Sequence, residues 1–228
     1  MTSVFCFSGS GHSLAVAEFL AEKLGCGVTQ IGRPNPPETS FPETAIVVFP
    51  VYCQNIPAPV KEFLKRLPAQ SVALIATYGR VSYGNVLWEA QGLITGTVIA
   101  GAYVPTGHTF LPGDGDFDRE GLLPILDKIK NPRPIQIPRS KKDFIADVFP
   151  AWRSRMGVKL TASNRCNGCN ICGENCPMGA IQKGKPNRNC IRCLRCVSLC
   201  PQKALHFQNS RILNRYLLKC HKDELILF

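Results

Sequence analysis

The chain has 228 residues, enough for one large domain or a medium domain with a small one, and 45% hydrophobic against 19% charged residues excludes a wholly disordered or collagen-like polypeptide. The formal net charge is +11. The uncharged stretch that looks most membrane-like, residues 92–104, is too short and glycine-rich to span a bilayer, and the N-terminus lacks the basic segment of a secretory signal. No membrane span and a cytoplasmic location are therefore expected.

In chain order, residues 2–8 form an apolar, β-prone run that ends in Gly9-Ser10-Gly11, and a helical pattern follows over residues 13–24. Residues 27–31 read as a weak strand. Between them and the next apolar run, 45–49, lie only 13 residues, four of them proline, too little for a full crossover helix. That side of the sheet is then open or covered by a second copy of the chain, as in a homodimer. After a loop over 51–59 comes an amphipathic stretch, 60–67. A third run, 72–77, leads through a glycine-containing loop to helical residues 85–94, and a fourth run covers 97–104. Strands alternating with helices predict an α/β fold, a doubly wound parallel sheet covered on both faces, over residues 1–155. Two further helices are expected at 118–129 and 142–152, then a basic bridge over 153–159. Residues 156–228 are expected to form a second, small α+β domain with a helical tail around 211–218.

Eight of the 12 cysteines fall between Cys166 and Cys200. Without an export signal their spacing reads as metal ligation rather than as a disulfide framework. Cys166, Cys169, Cys172, Cys176 and Pro177 recur 24 residues later as Cys190, Cys193, Cys196, Cys200 and Pro201. Each copy is C-x2-C-x2-C-x3-C-P, the bacterial ferredoxin run, in which three cysteines hold one iron-sulfur cubane and the fourth reaches the other. Two [4Fe-4S] clusters follow, one on Cys166, Cys169, Cys172 and Cys200, the other on Cys190, Cys193, Cys196 and Cys176. Structural zinc sites pair C-x2-C knuckles across a longer gap and need no third cysteine before proline. Gly168, Gly173 and Gly179 suit backbone wrapped tightly around sulfide or serve as ordinary turn glycines. Arg165, Lys183, Arg188, Arg192 and Arg195 either raise the cluster potentials, meet an acidic partner, or form a solvated basic face.

Ser8-Gly9-Ser10-Gly11-His12-Ser13 sits where the first strand gives way to the first helix, so backbone N–H groups and three hydroxyls converge on the positive end of that helix, a cradle for phosphate. It lacks both the Gly-Lys-Ser ending of a Walker loop and the spacing of a dinucleotide fingerprint. The alternation of serine and glycine after strand one resembles the phosphate loop of flavodoxin-like FMN proteins. The segments 50–57 and 76–80, after the third and fourth strands, resemble the loops that flank the isoalloxazine in that family. As a whole the chain resembles the ferredoxin-fused flavodoxin-like proteins. That resemblance implies a flavodoxin-like FMN domain and a two-cluster ferredoxin domain. Ser8, Gly9, Ser10, Gly11, His12 and Ser13 would lie on the phosphate. Val51, Tyr52, Asn55, Thr77, Tyr78, Gly79 and Tyr83 would lie along the ring system.

Of the remaining cysteines, Cys6 and Cys26 read as small buried hydrophobes, Cys53 as either a packing residue or a neighbour of the flavin, and Cys220 as part of the C-terminal stretch. His108 and His206 have no partner visible in sequence and are assigned surface or packing roles. The leading function is electron transfer among FMN, two clusters and a redox partner protein with an acidic docking face. The alternative is a flavin-dependent reductase acting on a small substrate, a quinone or NAD(P)H, with the clusters as relay. Residues 160–228 carry 11 basic and 3 acidic groups, yet aromatic residues are not interleaved with them, so nucleic acid is not an expected partner.

Overall fold

Side chains along the first strand, β1 (Thr2–Cys6), alternate between two buried environments: Val4 and Cys6 join one core, Phe5 and, just beyond, Phe7 the other. This is the signature of a strand covered on both faces. The computed structural model describes residues 1–32, 42–111, 116–148, 150–219 and 222–228. The same alternation runs through β3 (Thr44–Pro50), β4 (Ser71–Tyr78) and β5 (Thr97–Pro105), while β2 (Val28–Gln30) is short and half-exposed.

These five strands are parallel and ordered 2-1-3-4-5, the doubly wound order in which ligands bind outside the carboxyl ends of the strands. Helix α1 (His12–Leu24) lays Val16, Ala17, Leu20 and Ala21 on one face of the sheet, joined there by α4 (Arg119–Leu122) and α5 (Pro124–Lys130). Helices α2 (Ala58–Leu64) and α3 (Val86–Gln91) cover the other face through Val60, Leu64, Val86, Leu87 and Ala90. The short connection between the second and third strands lies largely outside the described residues.

Two helices differ from expectation for one reason. A proline cannot sit inside a helix, because it lacks the N–H and clashes with the preceding turn. The helix anticipated over 118–129 is accordingly broken at Leu123, with Pro124 opening α5. The one anticipated over 142–152 is instead a 3-10 turn, Phe144–Asp147, followed by α6 (Pro150–Gly157), which takes up most of the expected basic bridge.

The cysteine-rich part packs β6 (Val158–Ala162) antiparallel to β9 (Leu205–Asn209), and β7 (Ile181–Gln182) against β8 (Lys185–Pro186), around Leu160, Ala180, Ile181, Leu194 and Leu205. Its repeat is conformational as well as chemical. Helices α7 (Ile171–Glu174) and α8 (Arg195–Ser198) stand 24 positions apart, and so do three left-handed pairs: Gly168 with Arg192, Asn170 with Leu194, Gly179 with Lys203. In the second copy that conformation is imposed on residues with side chains, at a cost of about 1 kcal/mol or more each. After α9 (Arg211–Lys219), the chain returns to the first sheet, where β10 (Ile226–Leu227) pairs antiparallel with β5 at Tyr103 and Ala102. Nothing in the sequence pattern suggested this pairing. No helix among the described residues is long and apolar enough to cross a membrane.

The buried Tyr78 hydroxyl fastens that return, donating to the Glu224 carbonyl at 2.7 Å and accepting from the Glu224 N–H at 3.1 Å. Tyr78→Phe should lower the unfolding free energy by about 1–2 kcal/mol, read as a lower urea midpoint with earlier proteolysis of residues 222–228. An unchanged midpoint would show that this residue does not hold the tail.

Candidate functional site

Two cavities open in the cysteine-rich part, each with about 330 Å³ of free space counting its mouth (340 and 320 Å³). Cys166, Cys169, Cys172 and Cys200 line one; Cys176, Cys190, Cys193 and Cys196 line the other. Each wall thus takes three cysteines from one copy of the repeat and the fourth from the other. The two differ in depth: Cys190 and Cys193 are buried, whereas Cys169 is exposed and Cys166 half-exposed. We call them the inner and outer cavities.

The donor set is compatible with a multinuclear cluster, since each set of four cysteines rings a cavity. Backbone amides point at several of the sulfurs. Ala180 N–H donates to Cys176 Sγ at 3.2 Å, its counterpart Ala204 N–H to Cys200 Sγ at 3.3 Å, and Gly184 N–H to Cys172 Sγ at 3.4 Å. Burial pushes Cys193 up to about 11 and, together with the neighbouring cysteines, Cys196 up to about 12.

At the carboxyl edge of the sheet, residues 8–13 meet the end of β4 and the loop that follows β5. Ser13 and Thr77 share a buried hydroxyl–hydroxyl bond of 2.7 Å, Ser10 and Thr109 one of 3.1 Å, and the Ser8 hydroxyl accepts from the Gly11 N–H at 3.2 Å. Gly11, in the left-handed region, precedes α1, whose N-terminus has no side-chain cap. Gly79 lies so close to His108 that a Cβ there would overlap the imidazole. Ser8, Gly9, Ser10, Gly11, His12, Ser13, Thr77 and Gly79 are therefore gathered in one place, with His108 and Thr109 added from the loop after β5. Sequence reading assigned His108 a surface or packing role and did not single out Thr109; their position just beyond the end of a strand was the signal available.

The other residues anticipated along the ring system have partners of their own. Asn55 donates to the carbonyls of Cys53 (3.0 Å) and Ala146 (2.8 Å) and accepts from Lys142 (3.0 Å). Lys142 in turn pairs with Glu89 and Asp147, each at 2.6 Å. Tyr83 stacks on Tyr103 with centroids 4.2 Å apart, and Tyr78, bound to the tail, meets Tyr83 edge-on. Val51 is fixed by its N–H on the Thr77 carbonyl and packs in the core on that face.

Tyr52 leans toward the cysteines. A Cβ on Gly9 would fall 2.8 Å from the Tyr52 hydroxyl and collide with the Cys193 carbonyl. Burial raises the Tyr52 phenol well above its ordinary value; Cys193 adds to that rise and Arg195 opposes it. The inner cavity thus abuts the first loop directly, and Arg195 reaches the Gln30 side chain at the end of β2.

No protein-family profile matches the chain. Over 45 residues, 19% of its length, it is 42% identical to an uncharacterized protein of Methanocaldococcus jannaschii, and it spans only 18% of that protein. A solved structure of a candidate flavoprotein from Bacteroides eggerthii aligns with 57% of this chain and 97% of its own at 17% identity and a TM-score of 0.40.

Burial, reinforced by the charge of His12, lowers His108 to about 4 from an ordinary 6.5, and His12 is lowered by burial in the same direction. The neutral imidazole therefore contributes stability in full above about pH 6.5, and this is lost as pH falls toward 4, because the unfolded chain binds the proton more readily. Across that window urea unfolding should lose up to about 3 kcal/mol more in the wild type than in His108→Gln. Equal acid sensitivity in the two would contradict this assignment.

Proposed function

We propose that this chain is an electron-transfer protein that holds two [4Fe-4S] clusters in the inner and outer cavities and FMN at the carboxyl edge of its sheet. One observation carries the reading: eight cysteines line two cavities in the crossed sets of four that a doubled C-x2-C-x2-C-x3-C-P run requires. When bound, clusters of this kind accept and release single electrons, and a flavin exchanges one or two.

The chain's own residues have separable tasks. The left-handed residues between successive cysteines turn each loop back so that three sulfurs face one cavity, and the amides of Ala180, Ala204 and Gly184 hold Cys176, Cys200 and Cys172 by hydrogen bonds to sulfur. Around the first loop, Ser8, Ser10, Ser13 and Thr77 offer hydroxyls beside the open N-terminus of α1, where a phosphate dianion is favoured. Tyr52 and the backbone of Gly9 close the space between that loop and Cys193, keeping water from the boundary. Neither cavity is lined by an acid–base pair, so the cysteine-rich part suits electron exchange rather than bond-making. A redox partner with an acidic face would meet the basic half, whose excess charge is +8 over residues 160–228.

Anaerobic reconstitution should yield about eight irons, eight sulfides and one FMN per chain; bound zinc without sulfide would end the reading. In Cys176→Ser, the cluster held by Cys190, Cys193 and Cys196 should be lost or converted, leaving about four irons in the other cavity. Loss confined to the cluster of Cys166, Cys169 and Cys172 would reverse the crossed assignment.

A further inference from the structure

The repeat makes two cavities from one pattern, but its copies differ in charge. Ile171 of the outer cavity corresponds to Arg195 of the inner one, and Gly168 to Arg192, each 24 positions apart. Both arginines line the inner cavity. Arg195 is only 9% exposed, and its side chain is bonded to the neutral Gln30 amide, with no carboxylate partner among the described residues. Arg192 donates through Nε to the Val158 carbonyl at 2.9 Å, while its Nη1 is buried without a hydrogen-bond partner in the structure described. A buried cation is ordinarily paired, since taking it out of water unpaired is expensive. No acidic side chain lines either cavity. The outer cavity has one cation in its wall, Lys183, which is exposed and screened by solvent.

We propose that Arg195, supported by Arg192, is the built-in counter-charge of the inner cluster and makes the two clusters unequal, the inner one being the easier to reduce. This rests on the reading that both cavities hold clusters. Reduction adds one electron to a cluster already made anionic by four thiolates. A guanidinium held nearby in a low-dielectric setting stabilises the added charge far more than an exposed ammonium does. Position reinforces the asymmetry, because Arg195 stands between Cys193 and the ends of β1 and β2, on the side facing the first loop. Electrons would then settle on the cluster beside the sheet, leaving the exposed outer one to exchange with a partner. Arg195 acts through charge and touches no reacting substrate, so it is a positioning residue.

The test is an anaerobic redox titration of the reconstituted full-length protein, followed by electron paramagnetic resonance, which reads the two cluster midpoints separately. The wild type should show two distinct midpoints. Arg195→Gln should lower the higher one by about tenfold in its one-electron equilibrium, about 59 mV, and leave the other in place. Arg195→Lys, which keeps the charge, should restore most of the difference. The reciprocal Ile171→Arg should raise the midpoint that Arg195→Gln leaves unmoved, and it decides the matter if Arg195→Gln fails to hold its clusters. Unchanged midpoints in these variants, a common shift of both, or a lysine variant as low as the glutamine one would overturn the inference. Wild-type protein without iron and sulfide would instead overturn the reading beneath it.

Discussion

The backbone at Gly9 approaches Cys193 so closely that no side chain fits between them, and the relation of the two halves follows from that approach. A Cβ there would strike the Cys193 carbonyl and the Tyr52 hydroxyl, so the first loop, the inner cysteines and the loop after β3 can share one boundary only with glycine at this position. Arg195 and Gln30 add a polar clasp beside it. A glycine at the turn from the first strand into α1 is in this way also the seat of a neighbouring unit.

The cysteine-rich part shows what a small unit gives up. Its described apolar core consists of a few residues around Leu160, Ile181 and Leu205, with several cysteines among them, and its strands are two to five residues long. Units of this size seldom bury enough apolar surface to fold on that alone, and metal ligation is a common remedy. The second copy also carries Arg192, Leu194 and Lys203 in the left-handed region, a strain that closely packed ligand loops can sustain when something binds them together.

Much of the first half was legible because strands buried on both faces leave unbroken apolar runs, and glycine or proline punctuates their ends. The runs at 45–49, 72–77 and 97–104 each lie within an observed strand, and Ser8 to Ser13 lie at the carboxyl edge where the alternation of strand and helix put them. The misses were of two kinds. Pro124 and Pro150 each open a helix, where a missing N–H costs nothing, and an apolar periodicity that runs across a proline conceals the break before it. The contacts of Tyr78, Tyr83 and Asn55 were not legible, because their partners are distant in sequence: Glu224, Tyr103 and Lys142. A local pattern carries no record of such pairings. The crossed sets of cysteines were legible for the opposite reason, since a spacing repeated at 24 residues encodes its own long-range geometry.

The antiparallel β10 has a topological consequence. It completes the sheet at the flank of β5, so the cysteine-rich part is in effect an insertion between two adjacent strands of one sheet. Such an insertion is moored at both ends: the chain leaves the sheet after β5 and is brought back to it by Tyr78 and β10. A domain on a single linker can swivel and present itself in many orientations, but one with two moorings keeps its orientation. The separation between the first loop and the inner cysteines is then a property of the fold, set by chain connectivity and packing and independent of how dilute the protein is.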